Sequence, residues 1–335
     1  MSLFRAETRR LTKRRFTKFF LLGVLLILAA VAVGMGATNQ KRGPETAAAA
    51  QAEARQEFEA AVERSKADKQ ACEAAQGTPD AGNWPSNCAD MYEPQQADFD
   101  PQWYEPATFQ FEESFPAMVV VLASLLAAAA FVIGASYVGA EWNSGGMMNL
   151  LLWRPKRVQV LGTKLLALLS VFTVLTVVLS ALWTGVFALI GEFRGSMEGM
   201  TAGAWQSVAL TELRGLVIVL VAGAVGFGLA SIGRHTAVAM GAAIGVIAVL
   251  QVGLATVLSL AGTKFVDAYL APAWLSAWML KEVKLEDWNA CNFSPTGCEP
   301  DTLTLTWPMA GGLLGGILVL IVALALWSIR SRDIT

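Results

Sequence analysis

One segment of the chain has the residue types of a contact surface for another protein. It runs from Gly139 to Arg157 and contains a single acid, Glu141, then the pair Gly145 and Gly146, a run of Met and Leu, and a Pro followed by two basic residues. Glycine commonly ends one helix and proline limits the next, so the pattern predicts a short helix between two longer apolar segments. Apolar residues exposed at such a place favour a protein partner.

Residues that could catalyse a reaction are scarce. The single histidine, His235, lies in a short basic turn, and the four cysteines lie in polar stretches far from it in sequence. A nucleophile with its base, or a metal with its ligands, requires such groups close together. Gly162, Thr163 and Lys164 lack the upstream glycine of a phosphate-binding loop. We therefore predict no catalytic, cofactor-binding or metal-ligating residues, and the chain is not expected to be an enzyme.

The composition is that of an integral membrane protein. Of 335 residues, 55% are hydrophobic and 16% are charged, and the mean hydropathy is +0.49. Six stretches of 19 to 28 residues contain no Asp, Glu, Lys, Arg or His. Each is long enough to cross a hydrocarbon core of roughly 30 Å at about 1.5 Å per residue. The predicted fold class is an all-α integral membrane protein with six transmembrane helices, which excludes a soluble enzyme, a secreted domain and a nucleic-acid-binding protein.

The apolar stretches divide the chain into twelve segments. The predicted order is a basic amphipathic arm (1–18), the first transmembrane helix (19–37), an extracellular helix with a cystine-tied loop (38–115), the second transmembrane helix (116–140), a cytoplasmic loop with a short helix (141–158), the third transmembrane helix (159–191), an extracellular loop (192–214), the fourth (215–233) and fifth (236–263) transmembrane helices, an extracellular or re-entrant segment (264–306), the sixth transmembrane helix (307–329) and a cytoplasmic tail (330–335). The arm is interpreted either as a helix in the lipid headgroup plane or as a topology signal only.

The distribution of Lys and Arg predicts that both termini are cytoplasmic. With the N-terminus inside, the cytoplasmic segments carry thirteen Lys and Arg against three acids, whereas the extracellular segments carry eleven Lys and Arg against 24 acids. Positively charged loops remain on the cytoplasmic side of a membrane. The formal net charge of −2 therefore conceals a strong asymmetry across the bilayer.

All four cysteines fall in segments predicted to be extracellular, where disulfides persist. Cys72 and Cys88 lie in the first of these segments, and Cys291 and Cys298 lie in the last. Four cysteines allow three pairings. The local pairs, 72 with 88 and 291 with 298, are the simplest hypothesis, and pairing across the two segments remains an alternative.

The first extracellular segment changes in composition midway. Strong helix formers from Glu45 to about Ala75 predict a helix, and the sequence after Gly77 is rich in turn residues and aromatics. This region could cover a substrate exit, bind a partner, or simply pack on the helix ends. Glu212 and Arg214, just ahead of the fourth predicted span, are interpreted either as a polar pair or as a solvated helix end.

Small residues at a spacing of four suggest sites of close helix contact. They are Gly241 with Gly245, Gly311 with Gly315, and Gly312 with Gly316.

The segment after the second span resembles the corresponding loop in the membrane subunit of type 2 ABC transporters. The matching residues are Glu141, Gly145, Leu151, Leu152, Pro155, Arg157 and Lys164. This chain has Gly146 and Met147 where the family usually shows a threonine. The resemblance extends to the basic arm, the long loop after the first span, the six spans, and an Arg-x-Arg-Asp-Ile ending at 330–334.

The resemblance implies the permease subunit of an ATP-driven ABC exporter. Such a subunit would move a hydrophobic or amphipathic substrate, such as a lipid, drug or peptide, out of the cell. A separate ATPase would bind ATP and Mg, and a second permease copy or paralogue would complete a dimer. The short helix would dock on the ATPase while Glu141 braces the second span. The implied coupling residues are Glu141, Gly145, Met147, Met148, Leu151, Leu152, Pro155 and Arg157.

The expected location is a bacterial plasma membrane, with lipid but no nucleic acid as a further partner. An alternative function is a non-transporting membrane scaffold or sensor that works through its extracellular region. A secondary transporter is a third hypothesis. It is the least favoured, because such transporters generally carry charged or histidine side chains in the centres of their spans, and the centres of these spans contain no Asp, Glu, Lys, Arg or His.

Overall fold

The computed structural model describes residues 3–153, 156–294 and 297–331, without the side chains of 288–294, 298 and 329. Its helices are α1 (Leu3–Lys13), α2 (Arg15–Thr38), α3 (Pro44–Ala75), α4 (Phe111–Asn143), α5 (Gly146–Trp153), α6 (Arg157–Arg194), α7 (Ala202–Gly233), α8 (Thr236–Gly245), α9 (Leu254–Leu260), α10 (Ala271–Leu280) and α11 (Trp307–Ser331). A π-helical segment, Val246–Gly253, joins α8 to α9. The strands are β1 (Phe109–Gln110), β2 (Gly195–Ser196), β3 (Glu282–Ser294) and β4 (Gly297–Thr306).

Six helical segments are long and apolar enough to cross a membrane. They are α2, α4, α6, α7, the continuous rod Thr236–Leu260, and α11. Helices suit this environment because every backbone polar group within them is satisfied inside the segment. The predicted all-α membrane fold with six spans is therefore confirmed.

The chain forms two compact units, and the larger one contains most of the spans. It comprises Met1–Ala32, Glu112–Phe187 and Gly199–Thr335. Its most buried helices are α4 and α7, whereas α2, α11 and the Thr236–Leu260 rod are mostly exposed. Small residues let α4 and α7 approach closely: a β-carbon on Gly134 would lie 2.5 Å from the carbonyl oxygen of Gly223. Of the glycines suggested by spacing, Gly311 lies close to another helix, since its β-carbon would be 2.8 Å from the ring of Trp278 on α10. A β-carbon on Gly241 or Gly245 would meet no atom within 4 Å.

The larger unit has two distinct ends. At one end, the α7–α8 turn lies against the last turns of α4, where the guanidinium carbon of Arg234 is 5.0 Å from the ring centroid of Trp142. His235 is part of this turn, and its Nδ1 accepts a hydrogen bond from the backbone N–H of Ala237 at 3.0 Å. We call this the α5 end, because α5 follows α4 there. His235 therefore has a structural role in capping α8.

The other end of the larger unit carries α10 and an antiparallel hairpin, and we call it the hairpin end. Strands β3 and β4 pair from Glu282 with Thr306 to Ser294 with Gly297, with an irregularity between Asp287 and Cys291. Ala273, Ala277, Leu305 and Ala310 form a buried apolar cluster that packs α10 between the hairpin and α11. The sequence predicts an extracellular or re-entrant segment here, and the hairpin is an addition to that description.

The fourth span begins earlier than the sequence suggests. The prediction places a loop at 192–214, but α6 continues to Arg194 and α7 begins at Ala202. Thr201 caps α7, since its hydroxyl oxygen accepts from the N–H of Ala204 at 3.3 Å. Glu212 and Arg214 therefore lie within a helix, and the Thr184 hydroxyl donates to the Glu212 carboxylate. The interpretation of these two residues as a solvated helix end is wrong.

The smaller unit comprises Val33–Phe111 and Ala188–Glu198. Helix α3 covers the range predicted from its helix-forming composition. The chain then returns along α3 through short 3-10 turns at Pro79–Asn83, Cys88–Asp90, Gln96–Asp98 and Pro101–Tyr104. Phe58 on α3 packs edge to face with Phe99 at 5.7 Å between ring centroids. Lys69 forms an ion pair with Glu93 on the returning segment.

Candidate functional site

Helix α5 is separated from α4 by a tight turn at Gly145. The backbone of Gly145 has a φ of +72°, a left-handed conformation that residues with a β-carbon rarely adopt. Its N–H donates to the carbonyl of Trp142 at 3.2 Å, which closes the end of α4 as helix-terminating glycines commonly do. Gly145 thus sets the direction of α5 relative to α4.

The eight residues of α5 have a buried face and an exposed face. Met147 and Leu151, four residues apart, are 0% and 7% exposed, and they pack into the protein. Leu152 and Trp153 are 81% and 87% exposed, and Met148 is also exposed. We call Met148, Leu152 and Trp153 the apolar tip. Large apolar side chains exposed together favour contact with a partner or with lipid.

The apolar tip differs from the docking residues that the family resemblance implies. Those residues include Met147, Met148, Leu151 and Leu152 together, but neighbouring positions on one turn of helix cannot all face the same way. The structure turns Met147 and Leu151 inward and adds Trp153, which the sequence analysis did not select. Pro155 and Arg154 lie outside the described residues. Arg157 is the first residue of α6.

A cluster of charged side chains joins three helices, α1, α4 and α6. We call it the ion cluster. Lys164 on α6 is 0% exposed. Its Nζ lies 2.7 Å from Oε2 of Glu7 on α1 and 2.7 Å from Oε2 of Glu141 on α4. Arg10 on α1 completes the cluster, with its Nη1 3.0 Å from Oε1 of Glu141. Two carboxylates and two cations thus neutralise one another, which is the condition for burying charge without a large loss of stability.

Tyr137 on α4 contacts two members of the ion cluster. Its hydroxyl donates to Oε2 of Glu7 at 2.5 Å, and the Nζ of Lys164 lies 5.1 Å from its ring centroid. Arg14, just beyond α1, donates from Nη1 to the carbonyl of Ser136 at 3.2 Å. Burial lowers the pKa of the Arg14 guanidinium from its ordinary value, and the carboxylate of Glu141 opposes that shift.

The arm is therefore fastened to the second and third spans. Leu11 is fully buried and Glu7 is 3% exposed, although both lie in a segment interpreted from sequence as a headgroup helix or a topology signal. Neither interpretation includes these contacts. The one sequence feature that could have indicated these contacts is Glu7 itself, the only acid in an otherwise basic arm. Tyr137 and Arg10 had no signal, because their partners are 130 and 131 positions away.

The position of Lys164 also bears on nucleotide binding. In a phosphate-binding loop the lysine lies at the start of a helix and reaches the phosphates. Here Lys164 lies two turns inside α6, and its ammonium group contacts two carboxylates. Negative charge already occupies the place that a phosphate would need, so the Gly162 to Lys164 segment does not fit a nucleotide.

Two of the four cysteines form a separate structural site in the smaller unit. Cys72, near the end of α3, is bonded to Cys88, and their Cα atoms are 5.9 Å apart. This is one of the local pairs predicted from the sequence. The side chains of Cys291 and Cys298 lie outside the described residues. In the backbone register of the hairpin, Cys298 is opposite Phe293.

Comparison with known proteins identifies the family. The profile of the ABC-2 family transporter proteins matches residues 1–333, almost the whole chain. A search of curated proteins found no match. The match covers the arm, all six spans, α5 and the hairpin together, in agreement with the resemblance of the loop from Glu141 to Lys164. The chain therefore belongs to the ABC-2 family of transporter proteins.

Proposed function

We propose that this chain is the permease subunit of an ATP-driven exporter and that its apolar tip docks on a separate ATPase. The observation that carries the proposal is the exposure of Met148, Leu152 and Trp153 at the end of a short helix between two spans. The family match supports a transporter membrane subunit. ATP and Mg bind in the ATPase, since the chain has no phosphate-binding loop of its own.

The connection behind the tip supports transmission of movement. Met147 and Leu151 seat α5 against the protein. The ion pairs of Lys164 with Glu7 and Glu141 join α6 to α1 and α4. A force applied to the tip is therefore passed to the second and third spans and to the arm together. Glu141 acts as a brace between spans, as the family resemblance implies, and Arg157 begins the span on the far side of the loop.

The proposed orientation places the α5 end in the cytoplasm. The basic arm, Arg234 and the basic residues after α5 all lie on that side of the chain's six crossings, as the preference of positive loops for the cytoplasm requires. The Cys72–Cys88 bond then lies outside, where disulfides are stable. A bacterial plasma membrane is the proposed location.

A dimer and an amphipathic substrate complete the proposal. Helix α2 and the Thr236–Leu260 rod bury little of their apolar surface within one chain, which leaves room for lipid and for a second permease copy or paralogue. The spans consist largely of Ala, Val, Leu and Gly. Such a lining suits a hydrophobic or amphipathic molecule, such as a lipid, drug or peptide, and the proposed direction of transport is outward.

The test is co-purification of the ATPase with variants of the apolar tip in the native host. The variant Leu152→Asp/Trp153→Asp places two charges on the most exposed part of α5, so it should insert normally and lose the ATPase. The matched control is Leu260→Asp, which makes a similar change at an 85% exposed leucine at the end of α9. This control should retain a stoichiometric ATPase, measured by mass spectrometry after gentle detergent extraction.

Two outcomes contradict the proposal in different ways. Retention of the ATPase by the α5 variant would overturn the docking surface. If the unmodified chain brings down no nucleotide-binding partner, coupling to ATP fails as well. A scaffold or sensor that works through the region of α3 and the Cys72–Cys88 bond would then be the function to examine.

A further inference from the structure

An apolar cavity lies within the larger unit, away from α5 and the ion cluster. It has a volume of about 640 Å³ and lies between α4, α7, α8, α10 and α11. This volume falls within the range of small-molecule sites, about 300–1,000 Å³. Ile244 and Ile247 form part of its wall and are 64% and 59% exposed. The cavity therefore opens toward the surroundings of the spans, where lipid would be.

The cavity is elongated along the spans. Along α7 its wall runs from Val217 to Val225, about 12 Å at 1.5 Å per residue. On α11 it starts at Gly311, one turn after the helix begins at Trp307. On α8 the wall reaches Met240, one turn after that helix begins at the α5 end. The cavity thus runs lengthwise along the spans from near the hairpin end toward the α5 end.

Arg214 lies on α7 one turn before the cavity wall begins at Val217, on the side of the hairpin end. It precedes Val217 and Ile218 by three and four residues, so it lies on the same face of α7 as the wall. Its guanidinium carbon is 5.7 Å from the ring centroid of Trp307. Its Nη1 is buried and has no hydrogen-bond partner among the described residues. None of the ion pairs found in the described ranges includes Arg214.

The surroundings of Arg214 connect it to the cavity and add a second cation. Trp278 is part of the cavity wall, and its Nε1 donates to the backbone carbonyl of Arg214 at 3.0 Å. The Nζ of Lys281, the residue after α10, lies 3.3 Å from the hydroxyl of Ser207 on α7. Ser207 is two turns before Arg214. The nearby acid Glu212 accepts a hydrogen bond from Thr184.

We propose that the cavity binds an acyl chain of an anionic phospholipid and that Arg214 binds its headgroup phosphate. A buried N–H without a partner is costly. Reorientation of the Arg214 side chain would expose its enclosed Nη1, and a phosphate oxygen would then supply the missing acceptor. The planar guanidinium group matches phosphate geometry well, and Lys281 adds positive charge for a headgroup with net negative charge. The site requires no ATPase, so it is independent of the proposed export function.

The headgroup is tested with the purified full-length chain in detergent. Phosphatidylglycerol and diacylglycerol with identical acyl chains are added, and native mass spectrometry counts the lipids that remain bound. Only the first of these lipids carries a phosphate for Arg214. One charge-assisted contact should favour phosphatidylglycerol roughly tenfold. Arg214→Gln should reduce this preference to near parity, and Arg214→Lys should restore part of it. An unchanged preference in Arg214→Gln would overturn the headgroup assignment.

Two glycines on α11 provide a matched test of the acyl-chain site. A β-carbon on Gly315 or on Gly316 would meet no atom within 4 Å, so neither substitution forces the backbone to move. Only Gly315 is part of the cavity wall. Gly315→Leu should fill the cavity and lose both lipids, while Gly316→Leu should bind them like the unmodified chain. Equal binding by these two variants would overturn the cavity as the site.

Inorganic phosphate distinguishes a lipid from a free anion. Because the acyl chain supplies much of the proposed binding, millimolar phosphate should leave phosphatidylglycerol bound. Displacement of the lipid by phosphate would overturn the proposal in favour of a simple anion site at Arg214.

Discussion

Gly134 on α4 lies directly against the backbone carbonyl of Gly223 on α7, so close that a β-carbon on Gly134 would lie 2.5 Å from the carbonyl oxygen. The contact joins the two most buried spans. Close approach of small residues is the usual means by which helices associate in lipid, where the hydrophobic effect gives no drive. The spacing between α4 and α7 therefore depends on the absence of a side chain at this position.

The first prediction concerns this helix contact. Gly134→Ala should destabilise the protein, because α4 and α7 must separate to accommodate the methyl group. At an unconstrained helical position the same change is favourable by about 1 kcal/mol. Gly241→Ala supplies that control, because its β-carbon would have open space. Thermal unfolding in detergent should show a lower Tm for Gly134→Ala and an equal or higher Tm for Gly241→Ala. Equal Tm values would contradict the contact.

The second prediction concerns the buried ion cluster. Lys164→Met leaves the carboxylates of Glu7 and Glu141 without their shared ammonium group, and loss of one partner from a buried ion pair costs about 3–5 kcal/mol. The double variant Glu7→Gln/Lys164→Met also removes the negative charge of Glu7, so it should be more stable than Lys164→Met alone. Unfolding free energies in a double-mutant cycle measure this coupling.

The control for the ion cluster is Lys13→Met, which removes an exposed cation from the same arm. It should change the unfolding free energy little, since exposed charges contribute little. Additive effects of the Glu7 and Lys164 changes would show that the two residues do not act together.

The third prediction concerns the Cys72–Cys88 bond. Its loop has a sequence separation of 16, and closing a loop of that length stabilises a fold by about 3 kcal/mol. Cys72→Ser/Cys88→Ser should increase amide hydrogen exchange at the end of α3 and in the following turns. The spans should exchange as before. Unchanged exchange across 72–88 would mean that the packing of this segment on α3 suffices without the bond.

The fourth prediction concerns the acid sensitivity of a turn in the smaller unit. The Tyr92 hydroxyl and the N–H of Gln95 both donate to the carboxylate of Asp98, and these bonds lower the pKa of Asp98, with Tyr92 the larger cause. A lowered pKa means that the stabilisation is present above the ordinary aspartate pKa of about 3.9 and is lost as the pH falls through the lowered value.

Hydrogen exchange of peptides containing Gln95 measures this effect. At neutral pH, Asp98→Asn should exchange faster than the unmodified chain, and the difference should disappear in acid. Comparison at each pH removes the intrinsic pH dependence of exchange. Asp90→Asn is the control, because Asp90 is exposed on a neighbouring turn. In this variant the peptides containing Gln95 should exchange as in the unmodified chain. A difference that persists unchanged in strong acid would rule out titration of Asp98 as its cause.

Local composition was sufficient to predict the spans and the helix after the first span. Runs without charged residues and runs of strong helix formers are properties of neighbouring residues, so the sequence alone predicts these elements. The hairpin had a comparable local signal that was overlooked. Val283 and Leu285 alternate with polar residues, as do Leu303 and Leu305, and alternation of period two is typical of strands.

The ion cluster and the helix contact could not be predicted in this way. Glu7 and Lys164 are 157 positions apart, and no local pattern in either segment specifies the other. Gly134 and Gly223 are part of ordinary small-residue sequences, while Gly241 and Gly245 have the more suggestive spacing but open surroundings. For α5, the sequence identified the correct helix, but only the direction of its turn at Gly145 decides which side chains are exposed.

The contact of Glu7 with Lys164 also determines when the arm can reach its final position during synthesis. The ribosome must add 157 more residues after Glu7 before its partner exists, which takes roughly 8 to 30 s at about 5–20 residues per second. During that time the arm is held only by the first span and by lipid. A chain that stops before the third span leaves Glu7 without its ammonium partner, so its arm lacks the ion pair that joins α1 to α6.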